Sequence, residues 1–211
     1  MGGKAMSNAL LIRRRGMMVA QQGGLPYDAE IEYLQADGNA YISLNYIPID
    51  GNIIRAELVA GYGINNNQRK FLFSDSNSGV SHYCEIGSAQ KFGAYNIYCS
   101  PVLQNGVMYD VIIEIGNTNV NYFLDYEGAT YTSSVRNAST SYQNLVLFRI
   151  SSSYKGIGQR IRSLKIYDNN TLVFDMFSVR VGQVGYMYDR VSGQLFGNAG
   201  TGAFVLGPDI Q

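Results

Sequence analysis

The chain has 211 residues, of which 46% are hydrophobic and only 15% charged; that is enough apolar material for one domain with a full core. Its 16 basic and 16 acidic side chains cancel, so no concentrated basic face is implied, and a nucleic-acid or membrane role for the main domain is disfavoured. With 17 Tyr, 9 Phe and 24 Gly against 4 Pro, pleated strands and glycine turns are favoured over helices.

The first residues differ from the rest. Residues 1–24 carry Lys4, Arg13, Arg14 and Arg15 and no acid, a charge of +4 that leaves −4 on the remainder. Ser7-Asn8 is placed to cap a short helix running to Ala20. Arg13-Arg14-Arg15 splits the apolar stretches Ala9–Ile12 and Met17–Ala20, whereas a secretory signal needs an unbroken apolar segment of roughly 7–15 residues. Synthesis in a cytoplasm without export by that route is expected. No run approaches the ~18 apolar residues of a membrane-spanning helix. Gln21-Gln22-Gly23-Gly24 reads as a link. The segment is too poor in core to fold alone, so residues 1–26 form an arm that is disordered or ordered by a partner. Leu10, Leu11, Ile12, Arg13, Arg14, Arg15, Met17 and Met18 are its candidate docking residues.

From Tyr27 onward the pattern predicts strand after strand, giving one domain over residues 27–211. The predicted strands are Ile31–Leu34, Asn39–Leu44, Ile53–Tyr62, Phe71–Phe73, His82–Ile86, Phe92–Tyr98, Val107–Ile115, Asn121–Tyr126, Ala129–Val135, Leu145–Ile150, Arg160–Tyr167 and Leu172–Phe177. Asp37-Gly38 and Asp168-Asn169-Asn170 are turns, and Glu127-Gly128 heads a hairpin. Ile161, Ser163, Lys165 and Tyr167 are expected on one face, with Arg162, Leu164 and Ile166 on the other. Tyr186–Tyr188 and Gln194–Phe196 flank a polar turn at Asp189–Gly193. Segments recurring every 8–12 residues between Gly, Asn, Asp and Ser mark a β-sandwich or barrel.

Three segments carry a resemblance. They are Ile31-Glu32-Tyr33-Leu34-Gln35-Ala36-Asp37-Gly38-Asn39-Ala40-Tyr41-Ile42, then Ile161 to Asp175, then Gly185 to Phe204. Within the second, the residues fit the pattern I-x-S-x-K-I-Y-D-x-x-x-L-V-x-D. The third resembles G-x-Y-D-x-V-S-G-x-x-F-x-N-A-G-T-G-x-F, with one more residue between Gly185 and Tyr188-Asp189. Together, over about residues 29–207, they resemble the concanavalin A-like (laminin-G-like) jelly rolls of bacteriophages and prophages of gut bacteria. The resemblance implies an all-β, antiparallel jelly-roll β-sandwich with an N-terminal extension, and a first strand that pairs with the last.

Catalytic chemistry finds little support. Some relatives with this sandwich are glycoside hydrolases, whose retaining members need two carboxyls roughly 5–5.5 Å apart. Glu30-Ile31-Glu32 is the nearest match and lacks the third acid of that pattern. Asp110 and Glu114 share a strand face and read as a solvated surface. His82 is the only imidazole; with Cys84 it makes a conceivable dyad but lacks an elbow or an orienting acid. Gly197 to Gly202 lacks the Lys-Ser/Thr of a phosphate cradle and reads as a bulged turn. Two cysteines, Cys84 and Cys99, are too few for a disulfide framework, and reduced thiols are expected. No cofactor is expected. Asp75, Asp168 and Asp189 are the candidate oxygen ligands for calcium, although turn formation suits them better.

The expectation is therefore a non-enzymatic structural or adhesion protein of a phage virion, assembled in the bacterial cytoplasm. It would be a capsid-attached fibre or decoration module docked on other virion proteins through residues 1–24, and a homo-oligomer, as fibres usually are. The alternative is a carbohydrate-binding module recognising host glycans, with Tyr83, Tyr95, Tyr98, Tyr122, Tyr126 and Tyr131 as candidate stacking residues.

Overall fold

The computed structural model describes residues 24–59, 70–74, 83–86, 91–94, 97–136, 144–149 and 156–210, with backbone alone at 70–74, 83–86 and 136. Residues 1–23 of the expected arm, His82, Tyr95 and Asp75 lie outside the described residues.

Seventeen strands appear, and the described residues contain no helix. They are β1 (Ala29–Glu30), β2 (Leu34–Asp37), β3 (Ile42–Ser43), β4 (Asn52–Val59), β5 (Lys70–Ser74), β6 (Tyr83–Ile86), β7 (Phe92–Ala94), β8 (Ile97–Tyr98) and β9 (Met108–Ile115). Then follow β10 (Asn119–Tyr126), β11 (Ala129–Arg136), β12 (Val146–Leu147), β13 (Ile157–Asp168), β14 (Thr171–Val181), β15 (Val184–Asp189), β16 (Gln194–Phe196) and β17 (Phe204–Leu206). An 11-stranded sheet runs β11-β10-β9-β4-β13-β14-β15-β16, with β1 on β14 and β2 bridging β13 and β17; a 6-stranded sheet runs β3-β12-β5-β6-β7-β8. Every pairing between strands is antiparallel.

The two sheets share one apolar core. Ile54, Val111, Leu124, Leu164, Ile166 and Met176 of the large sheet are buried in one cluster with Ile42, Phe92, Ala94 and Leu147 of the small one. Alternation along β4, β9 and β10 sends every second side chain inward, and each fully buried Leu, Ile or Phe contributes about 1.5–3 kcal/mol. The Phe92 and Tyr122 rings meet edge to face across the sheets at 6.0 Å.

The predicted turns hold. Glu127 and Gly128 both have positive φ, the type I′ hairpin geometry that matches strand twist. Asn169 and Asn170 do the same between β13 and β14. Three strand expectations need correction. Ile31–Leu34 is largely the break between β1 and β2, with only Leu34 in a strand and Ile31 in an isolated bridge. Phe92–Tyr98 is two short strands paired with each other; Gly93 at φ 155° lies so close to the Ile97 carbonyl that a Cβ would overlap it. Strict alternation over 160–167 also fails. A bulge between Ile161 and Ser163 shifts the register against β4, so Ile161 joins Leu164 and Ile166 in the core. Arg162 is the extra residue.

The opening and closing motifs meet in space. β17 pairs with β2, and Ile31 bridges to Asp209. The Asp37 carboxylate accepts from the amides of Asn39 (2.7 Å), Ala40 (2.8 Å) and Ala203 (3.0 Å). Burial alone would raise its pKa, but those donors outweigh burial and hold it below the usual carboxylate range. Asn198 Oδ1 accepts from the amides of Tyr41 (3.1 Å) and Gly200 (2.8 Å), and its Nδ2 donates to the Gly202 carbonyl. The glycine run is thus a clasp closing on the first strands, and a Cβ at Gly200 would overlap the Asn39 carbonyl.

Candidate functional site

Strand register builds the one chemically dense surface among the described residues. The large sheet's outer face carries a row of residues side by side on successive strands. It runs from Asp125 on β10 through Asp110 on β9, Glu57 on β4 and Ser163 on β13 to Phe177 on β14 and Tyr188 on β15. The next row is Phe123, Ile112, Arg55, Lys165 and Asp175. Each side chain is outward because its strand neighbours belong to the core.

Part of this face is covered. Tyr27, just ahead of β1, packs its ring on Phe177 at 5.7 Å and Tyr188 at 5.2 Å, part of a small cluster with Val179 and Leu195. The remainder is an open groove of about 460 Å³. Five acids line it, Glu30, Glu57, Asp110, Asp125 and Asp175, against four bases, Arg55, Arg162, Lys165 and Arg190. That near balance does not suit a polyanion.

The charges are sorted within the groove. On one side Arg190 reaches Glu30 (3.7 Å) and Asp175 (3.8 Å), Lys165 reaches Asp175 (3.8 Å), and the Arg190 guanidinium lies 4.1 Å over the Phe177 ring. On the other side stand the three adjacent acids. Glu57 accepts from Ser163 Oγ (2.5 Å) with Arg162 at 4.0 Å, and Asp125 accepts from Thr130 Oγ1 (2.6 Å). Asp110 lies between them. Desolvation, then repulsion from Glu57 and Asp125, holds its carboxyl above the usual carboxylate range. These acids offer hydrogen-bond acceptors to hydroxyl-rich ligands, with basic donors on the opposite wall. No group of three His, Cys, Asp or Glu side chains suited to a metal ion occurs among the described residues.

The tyrosines expected to bind glycan do not form a platform. Tyr122 is buried in the core and unavailable to a ligand; its position on the inner face of β10 decides this. Tyr126 and Tyr131 are half-buried and pack against the same core, and Tyr98 is half-buried on β8. Tyr83 is described by backbone alone, and Tyr95 and the docking residues 10–18 lie outside the described residues. Of the calcium candidates, Asp168 accepts from Asn52 and Asn169 side-chain amides at 3.2 and 3.0 Å. Asp189 is buried and occupied by a turn. Glu30 and Asp110 do line the groove, but Glu57, Asp125, Lys165 and Arg190 were not anticipated. A period-2 pattern could have marked them as outward, but not as neighbours. Cys99 is buried and free, with its Sγ 3.5 Å from the Tyr131 carbonyl, and burial raises its pKa.

No family model matches the chain, and no curated protein matches it.

Proposed function

We propose that this protein is a non-enzymatic structural and adhesion protein of a phage virion, a capsid-attached fibre or decoration module that docks through its basic N-terminal arm. The proposal includes the finer fold reading, a concanavalin A-like jelly roll, which the pairing of β2 with the last strand, β17, and the bridge from Ile31 to Asp209 support. The observation that carries it is the segregation of charge, +4 on residues 1–24 and −4 beyond, with the following segment fastened to the sheet. β1 pairs with β14, and Arg180 of β14 clamps Asp209 through two bonds of 2.7 Å and lies 3.9 Å from Asp28. An arm attached there transmits load directly to the large sheet.

Deletion of residues 1–24 should abolish incorporation into particles while leaving the far-ultraviolet β spectrum and thermal midpoint unchanged. The truncation stops short of Tyr27, whose ring is the first to pack on the sheet. Normal incorporation of the truncated protein would contradict the reading.

The groove favours a second, compatible reading, a carbohydrate-binding module facing host glycans. Its acceptor row and apolar neighbours Ile112, Phe123 and Phe177 suit a hydroxyl-rich ligand. Asp110→Asn should weaken binding on an array of bacterial surface polysaccharides at least fivefold, without any release of reducing ends by the native protein. Release would instead support a hydrolase using Glu57 and Asp110. The same substitution has a stability signature. A carboxyl whose folded pKa is raised contributes stability that is fully present below its unfolded pKa and is lost as pH rises through the folded value. Asp110→Asn should therefore raise the melting temperature at neutral pH and lose that advantage below the ordinary aspartate range. An unchanged difference across pH would remove Asp110 from the strained row.

A further inference from the structure

We propose that β11 is a docking edge for a second copy of this chain, which pairs with it antiparallel about a two-fold axis at Thr132. Among the described residues β11 ends the large sheet and pairs only with β10. The hairpin fixes which of its backbone groups are free. In a two-residue hairpin the residues flanking the turn, Tyr126 and Ala129, form a mutually hydrogen-bonded pair, and bonded pairs then alternate. Tyr131 and Ser133 therefore bond to β10, while the amides and carbonyls of Thr130, Thr132 and Ser134 point away from the sheet.

Among the described residues nothing along this edge opposes association. Protected edges carry Lys, Pro, a bulge or an inward charge. From Ala129 to Val135 the strand has no charge, proline or glycine, and its eight-residue register with β10 has no bulge. Thr130, Thr132 and Ser134 are exposed.

The edge is self-complementary. All three outward residues pair among themselves only if Thr132 faces Thr132 of the second copy, which sets Thr130 opposite Ser134 and Ser134 opposite Thr130. These are favourable cross-strand pairs. The same register brings position 136, an arginine, opposite Gly128 of the second copy and beside its Glu127. The sequence thus places a basic and an acidic residue at each end of the pairing.

Sedimentation of the full chain tests this. The wild type should run as a dimer. Thr132→Pro removes the central outward amide without touching a bond to β10, and Thr132→Lys sets two like charges face to face. Each should raise the dimer dissociation constant at least tenfold with an unchanged circular dichroism spectrum. If the proline variant fails to fold, the lysine variant alone decides. A wild-type monomer at the highest attainable concentration would overturn the proposal, and so would an oligomer unmoved by Thr132→Lys.

Discussion

Asp189→Ala should be the most damaging single substitution on the outer turns. The Asp189 carboxylate is buried and accepts from the amides of Asp175 (2.8 Å), Val191 (3.2 Å) and Ser192 (3.0 Å), and from Ser192 Oγ (2.6 Å). Alanine leaves the three amides without an acceptor. An orphaned buried donor costs about 1–3 kcal/mol; the half-buried Asp175 amide bears that cost, while the amides of exposed Val191 and Ser192 turn partly to water, so a loss of roughly 2–4 kcal/mol is expected against a typical total of ~5–15 kcal/mol. Asp189→Asn keeps one acceptor oxygen and should lose less. Urea unfolding measures both. A variant as stable as the wild type would show that the turn does not depend on this carboxylate.

Gln159→Met should move stability the other way. Gln159 is fully buried on β13, and neither its Oε1 nor its Nε2 has a hydrogen-bond partner. Unsatisfied buried amide groups cost about 1–3 kcal/mol apiece, and methionine keeps nearly the same volume without them. A gain of about 2 kcal/mol is expected, seen as a higher urea midpoint at constant slope. A lower midpoint would mean that the amide is satisfied in solution, as by a bound water.

The contrast between these two residues shows what was legible in the sequence. Asp189 stands in a Tyr-Asp-Arg-Val-Ser-Gly turn, and its chemistry can be read locally, because Asp binds amides two and three residues on. Glu127-Gly128 and Asn169-Asn170 were legible for the same reason. Gln159 sits beside a bulge, and its burial follows from how one edge of β13 passes from β2 to β14 while the other stays on β4, which no local pattern encodes. The bulge likewise turned Ile161 inward, against its apparent alternation.

The candidate site was less legible than the fold. Glu57, Asp110 and Asp125 are widely separated in sequence and become neighbours only through the registers of β4 with β9 and of β9 with β10. Tyrosine content pointed to aromatic stacking, yet strand parity places Tyr122 and Tyr131 on the core side. Composition counts aromatic rings and cannot say which face they take. The opening and closing motifs were legible as a pair, and Asp37 and Asn198 supply the physical reason: each ties one motif to the other.

The most direct measurement is electron cryo-microscopy of the assembled particle carrying the full-length chain. The account predicts density for residues 1–24 embedded in a neighbouring virion protein, with the groove beside Asp110 open to solution. An arm projecting free into solvent, or the groove sealed against the particle wall, would contradict it.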